Sequence, residues 1–360
     1  MSHPYLDLPD YCFWSRSVSD AAPGSIDPVT SNRRIGAGDK IATMGSCFAQ
    51  NLGPRLRAAG LSYFTPEMPA GALSPEAARK QGYGLFSARY GNVYTPKQAL
   101  QLFERAYGQF VPAEDVWAAD GGGYVDAFRP ALGPIMTTVD SVRAEVAVHL
   151  GNVRRVFEEA DWMVLTLGLT EAWRSRRDGA TYPLAPGVAA GQFDEQAHEF
   201  HNFDIDEVRA DLKDLITKAT AVNPRLVFLL TVSPVPLAAT YEQHHVWVST
   251  TFSKSVLRVA AAWAEQYFPN VLYFPAYEIV TSPAAEGRYY RDDLRSVSNL
   301  GVAHVMRLFL KHFAGPADHR GPDRPAEASA LSAASGREGI ECDEDLIEAS
   351  IARLGLQRAL

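Results

Sequence analysis

Gly45-Ser46-Cys47 offers a serine hydroxyl where a nucleophile could stand. Ile41, Ala42, Thr43 and Met44 make an apolar run of strand length, and Gly45 permits a sharp reversal. From Phe48 the period turns helical, with Phe48, Leu52, Leu56 and Ala59 on one face and Gly60 as the stop. Ser46 therefore falls on a strand-to-helix turn, its hydroxyl over the carboxyl edge of a sheet. The first helical N–H groups there have no intrahelical partner and suit an oxyanion. That is what a nucleophilic serine needs. A serine that merely caps the helix would account for the same turn.

Other chemistry-bearing residues are fewer. Cys47 reads as a small buried side chain under the turn rather than as a rival nucleophile. Cys12, Cys47 and Cys342 are odd in number and far apart, so no disulfide framework is expected. His149, His304 and His312 fall on predicted helices, as packing or surface residues. His198 and His201, beside Asn202, and His244-His245, after a strand, are the histidines that could approach the sheet edge. There is no His-x-x-x-His or Cys-x-x-Cys spacing and no Gly-rich phosphate loop, so neither a metal nor a cofactor is expected.

The elements that must position these residues alternate. Strands are predicted at Leu61–Phe64, Trp162–Leu167, Leu226–Val232 and Val271–Phe274. Helices are predicted from Thr95-Pro96, with Leu100, Phe103 and Tyr107 inward, then through Val142–Phe157, and over about 205–221, 251–267 and 298–313. Strand alternating with helix gives a three-layer α/β/α sandwich on a doubly wound parallel sheet, with ligands beyond the carboxyl ends of the strands. Residues 1–39 read as an extended arm pinned by Tyr11, Phe13 and Trp14. The main domain spans 40–314. Loop-rich insertions at about 65–135 and 171–203 cover the catalytic edge. A flexible linker, 315–338, leads to an amphipathic helix over 339–360 with Leu346, Ile347, Ile351 and Leu354 on its apolar stripe. That helix either docks on this chain or serves a protein partner or a homo-oligomer.

At 360 residues the chain can bury a large core, and its 47% hydrophobic and 21% charged shares are ordinary for a soluble globular protein. A formal net charge of −8 without a dense basic face argues against nucleic acid. No apolar run approaches a membrane span, and the N-terminus lacks the basic start and apolar core of a signal peptide, so cytoplasmic residence is the default.

Gly45-Ser46-Cys47-Phe48-Ala49 resembles the signature of the GSCFA family, which is grouped with the SGNH (GDSL-like) hydrolases. Further blocks are similar to that family in order: Tyr90–Pro96, Leu165–Trp173, Thr231–Pro236, Ser253–Leu257, Tyr273–Ile279 and Asp293–Arg295. The resemblance covers roughly residues 33–313. It implies Ser46 as nucleophile, Gly91 (beside Asn92) as a backbone donor, and Gly168-Leu169-Thr170-Glu171 in the place of Gly-x-Asn-Asp, with Thr170 as side-chain donor. Trp173 follows as a substrate contact. Asp293 matches the aspartate of Asp-x-x-His, but Ser296 stands in the histidine place, and a serine hydroxyl cannot deprotonate Ser46 near neutral pH. The resemblance points to His245 as the replacement base. The implied activity is that of a serine esterase or O-acyltransferase on acetyl or other acyl esters of a glycan or another hydroxyl-bearing substrate. A protein that kept the fold, lost the base and binds a saccharide through Trp173 and Tyr182 is the alternative.

Overall fold

The computed structural model describes residues 3–22, 24–31, 33–69, 71–314 and 342–353. The predicted linker and both ends of the predicted last helix lie outside them. In chain order the strands are β1 (Ile41–Gly45), β2 (Val116–Ala118), β3 (Tyr124–Asp126), β4 (Trp162–Leu167), β5 (Glu171–Ser175), β6 (Thr181–Tyr182), β7 (His198–Asn202), β8 (Val227–Val232) and β9 (Val271–Tyr273). The helices are α1 (Leu52–Ala58), α2 (Pro75–Lys80), α3 (Pro96–Ala106), α4 (Val139–Glu159), α5 (Ile205–Val222), α6 (Val246–Tyr267), α7 (Ala276–Thr281), α8 (Asn299–Phe313) and α9 (Asp345–Arg353). The chain divides into two compact units, Met1–Gly36 with Phe274–Glu338, and Ala37–Tyr273 with Gly339–Leu360.

The second unit is built on a parallel sheet in the order β1-β4-β8-β9. Every residue of β1, β4 and β8 is buried, which explains their unbroken apolar runs: a parallel strand covered by helices on both faces has no solvent side to alternate with. The strand predicted at Leu61–Phe64 is reduced to one parallel bridge, Tyr63 to Ile41, with Ile41 N donating to Ser62 O at 2.9 Å and Phe64 N to Ile41 O at 2.8 Å. Pro66, with no N–H to give, follows too closely for a longer ladder. The chain still steps to one side of β1 and then to the other. The carboxyl end of β1 is thus the switch point, where open α/β sheets bind ligands.

The insertions hold more regular structure than their loop-rich composition predicts. β2 and β3 form a hairpin whose turn, Gly121-Gly122-Gly123, takes positive φ at all three glycines. Residues 171–203 form an antiparallel sheet in the order β6-β5-β7. Trp117, Val125, Tyr182 and Ala190 make a small core that joins the two insertions. α6 begins at Val246, earlier than predicted, because His245 caps it.

In the first unit, α7 and α8 pack around Phe274, whose ring meets Phe309 and Phe313 edge-on at 5.6 and 5.8 Å. Of the three aromatics expected to pin the arm, Tyr11 and Trp14 are exposed and Phe13 is half-buried. Ile35, fully buried and bridged in parallel to Ala314, anchors the arm together with Asp27, which pairs with Lys311 and His312.

Candidate active site

Ser46 stands at the carboxyl end of β1. Gly45 before it has φ +136°, and a Cβ there would run into the Thr166 carbonyl of β4, so only glycine fits. Ser46 N donates to Thr166 O at 3.1 Å, and Ala49 N returns to Ser46 O at 2.9 Å as the chain enters a 3-10 turn, Cys47–Asn51, ahead of α1. Ser46 occupies the N-cap position with extended backbone, yet its side chain makes no capping bond. It is 2% exposed, and Oγ has no hydrogen-bond partner among the described residues. The capping role is therefore not what holds this serine here, and among the described residues no imidazole lies within hydrogen-bond reach of it.

Two loops close around the turn. Val93 N donates to Gly45 O at 2.9 Å, which brings Gly91 and Asn92 to the end of β1. Gly91 has φ +69°, and Asn92 Oδ1 accepts from Gln50 Nε2 at 3.1 Å. From the end of β4, Gly168 N and Leu169 N both donate to Tyr94 O, at 2.8 and 3.2 Å. A Cβ on Gly168 would lie 3.0 Å from Ser46 Cβ and 3.1 Å from Tyr94 Cα, so close packing requires a glycine here.

α6 locks the second loop from behind. Ser253 Oγ accepts from Thr170 N at 2.9 Å, and Lys254 Nζ donates to Gly168 O at 2.5 Å, although Lys254 is only 2% exposed. Burying that ammonium is tolerable only with such partners. Thr170 itself donates its hydroxyl to Asn202 Oδ1 at 2.7 Å, and Asn202 Nδ2 donates to Glu242 Oε1 at 3.1 Å. A hydroxyl has one proton, so Thr170 is not a free oxyanion donor while that bond stands. Glu171 accepts from Thr240 Oγ1 at 2.7 Å and from Tyr241 N at 3.4 Å. Burial, with the charges of Glu242 and Glu344 added, holds its carboxyl above the usual range against the pull of those two bonds. Trp173 joins Phe193, Phe200 and Tyr241 in an edge-to-face cluster at 4.9–5.9 Å.

The histidines are engaged elsewhere. His245 is exposed, and its Nδ1 accepts from Trp247 N at 3.2 Å. A neutral imidazole has one acceptor nitrogen, so the cap occupies the atom a general base would use. His201 Nε2 meets Glu207 at 2.8 Å, and His198 Nε2 meets Glu114 at 3.0 Å. His149 is buried against Glu67 at 2.8 Å, a packing residue as its helical position predicts. Asp293 lies in the other unit, exposed, with Oδ1 accepting from Arg295 N at 2.9 Å and Ser296 N at 2.8 Å. Partial burial raises its carboxyl pKa, but the Ser296 hydroxyl and these N–H groups outweigh that and hold it below the usual range. Tyr182, predicted as a saccharide contact, is 1% exposed in the insertion core and unavailable to a ligand.

The sharpest departure from the sequence expectation is covalent. Cys47 is disulfide-bonded to Cys342, 295 residues away, and only Cys12 is free. No pattern in the sequence distinguishes that pair from Cys12 with either partner. Tyr94, Ser253 and Lys254, which hold the loops, sit within blocks of the resemblance, but their roles depend on contacts that spacing does not encode. For Lys254 there was one signal: it falls on the inward side of α6, three residues before buried Leu257.

Among the described residues, no helix is long and apolar enough to cross a membrane, and no group of three His, Cys, Asp or Glu side chains could hold a metal.

No curated protein matches the chain. Among solved structures it is similar to a carbohydrate esterase family 3 from Talaromyces cellulolyticus, at 14% identity and TM-score 0.36, covering 75% of this chain and 94% of that one. It is also similar to an acetyl esterase mutant with an acetate ion, at 13% identity and TM-score 0.34, covering 75% and 93%. A third similar structure is a mutant of Axe2, an acetyl-xylooligosaccharide esterase from Geobacillus Stearmophilus, at 17% identity and TM-score 0.31, covering 78% and 95%. The Ser46 turn, both loops around it and the whole parallel sheet fall inside the stretch matched by one family model, residues 40–309, and the chain belongs to the GSCFA family.

Proposed function

We propose that this chain is a serine esterase or O-acyltransferase that takes an acyl group, acetyl foremost, from a hydroxyl-bearing substrate such as a glycan, through an acyl-enzyme on Ser46. One observation carries the reading. Ser46 is buried at the switch point of the sheet with a hydroxyl that neither caps its helix nor bonds to any described group. A buried hydroxyl without a partner costs stability, and a reacting group is a reason to keep one. In this reading Ser46 Oγ attacks the acyl carbon and the Gly91 N–H faces the developing oxyanion, the N–H groups of Gly168, Leu169 and Thr170 being bonded to Tyr94 O and Ser253 Oγ. Thr170 contributes its hydroxyl only if Asn202 releases it. His245 acts as the base only by giving up its cap on α6.

The alternative, a protein that binds a saccharide without turning it over, is favoured by a different observation: among the described residues no imidazole stands within hydrogen-bond reach of Ser46 Oγ. Trp173 and Tyr241, with the neighbouring Glu171 and Glu242, would then form the recognition surface. A fluorophosphonate probe and an acetyl ester, applied with and without a reducing thiol because Cys47 is bridged, separate the two. The esterase reading expects labelling at Ser46, and ester turnover that falls at least about a thousandfold in Ser46→Ala. Labelling that persists in Ser46→Ala removes the serine from the mechanism. Saccharide binding without labelling or turnover in either redox state establishes the alternative.

A further inference from the structure

The bond between Cys47 and Cys342 joins the residue directly after Ser46 to a segment that returns from the far end of the chain. The returning segment also touches the other wall of the site. Asp343 N donates to the Tyr94 hydroxyl at 3.1 Å, and Tyr94 is the residue that packs with Ser46 against Gly168. Glu344, buried, lies near enough to Glu171 to raise its pKa, which places it by the Gly168–Glu171 loop as well. Residues 342–344 thus meet the turn and both loops that surround Ser46.

From Leu346 onward the attachments of the segment are weak. α9 is nine residues long and buries only Ser350, and a free helix of that length is marginal in water. Arg353 donates to Val188 O at 2.9 Å and pairs with Asp120 at 3.6 Å, but both charged side chains are more than half exposed, where ion pairs contribute little. The covalent bond is what ties the segment to the Ser46 turn itself.

We propose that Cys47–Cys342 is a thiol-cleavable bond that holds residues 342–353 as a strap over the Ser46 turn, closing the site when oxidised and opening it when reduced. Cys342 is 9% exposed and Cys47 1%, so an external thiolate reaches the Cys342 sulfur first. Attack there forms a mixed disulfide and expels Cys47 as a thiolate, which takes up a proton. A second thiol of the reductant attacks its own sulfur in the mixed disulfide and releases Cys342. In sum, a dithiol becomes a disulfide while two protein thiols form, a transfer of two electrons and two protons. Both thiols stay in the chain, so reoxidation by a small disulfide, which is itself reduced to two thiols, restores the strap. That the strap gates chemistry rests on Ser46 being the nucleophile; that it opens and closes does not.

The test uses the full chain, oxidised or treated with dithiothreitol, and reads thiol alkylation by mass spectrometry, hydrogen exchange and fluorophosphonate labelling. The oxidised protein should show the Cys47–Cys342 bridge, protected amides in peptides 342–353 and 45–51, and slow labelling of Ser46. On reduction both thiols should alkylate, exchange in both peptides should rise at least tenfold, and Ser46 should label at least tenfold faster. Cys342→Ser should behave as reduced with or without the thiol, and if that variant misfolds, reduction of the wild type makes the same comparison. Unchanged exchange after reduction overturns the strap, as does finding both cysteines free in the oxidised protein. Faster exchange with an unchanged, finite labelling rate overturns the gating. Faster exchange with no labelling in either state leaves the strap standing and sinks the nucleophile reading instead.

Discussion

Gly168 packs directly against Ser46: a Cβ on Gly168 would stand 3.0 Å from Ser46 Cβ, with Tyr94 Cα at 3.1 Å on the other side. The position of the serine is thus set by a glycine at the end of the neighbouring strand. Gly168→Ala must push the serine or the Tyr94 backbone away by a few tenths of an ångström. The expected cost is about 1–3 kcal/mol of stability, as for other overpacked sites, with at least a tenfold loss of probe labelling at Ser46. Urea unfolding and labelling kinetics measured together check both; labelling at the wild-type rate would show that the contact does not position the hydroxyl.

Removing the hydroxyl itself should have the opposite effect on stability. Ser46 Oγ is buried without a partner among the described residues, so Ser46→Ala deletes an unsatisfied polar atom. The variant should unfold at the same urea midpoint or a higher one, by up to about 1–2 kcal/mol. A clear loss of stability would mean that the hydroxyl has a structural partner and is not held in reserve.

Lys254 connects α6 to the loop beside the serine through Gly168 O. Lys254→Met keeps the apolar stem but removes the donor. It should cost about 1–3 kcal/mol, because a buried carbonyl loses a charged partner, and should slow Ser46 labelling without abolishing it. Unaltered stability and labelling would show that the loop is held by Ser253 and Tyr94 alone.

The first unit carries a pH signature. His304 is buried, with Nδ1 2.6 Å from the Tyr289 hydroxyl. Burial, with the charge of Arg307, pushes its pKa down to about 4 against the backbone of Ile26 and the charge of Asp27. A base whose folded pKa is depressed contributes stability above its unfolded pKa, near 6.5, and loses it as pH falls toward the folded value. About 2–3 kcal/mol should go between pH 6.5 and 4. Asp211, whose carboxyl is pushed up to about 6 by burial, slopes the other way, so the measurement is a difference. The stability gap between wild type and His304→Gln, followed by urea unfolding, should shrink as the pH falls through that window. A gap that stays constant would mean that His304 titrates normally.

The sequence alone determined the parts of this protein that depend on neighbours in the chain. Ile41–Met44 followed by Gly45 specifies a buried strand and a reversal, because an apolar run of that length has few other ways to bury itself and only glycine takes φ +136° there. Thr95-Pro96 and Ser298 start their helices as expected, since a cap is settled within one turn. Three further strands fall where periodicity puts them, within a residue at either end.

Tertiary structure decided everything that depends on which distant group a side chain meets. Thr170 has the same local sequence whether its hydroxyl faces a substrate or Asn202, which lies 32 residues on; the antiparallel pairing of β5 with β7 makes that choice. His245 lies on the expected edge, but the cap it makes on α6 turns its acceptor nitrogen to Trp247 N. The strands of residues 171–203 are hidden from a pattern reading because their charged and aromatic residues form one sheet together rather than each burying an apolar face. Cys47 meets Cys342 across 295 residues, a contact that no local propensity encodes, since closing so long a loop depends on the whole fold standing between its ends.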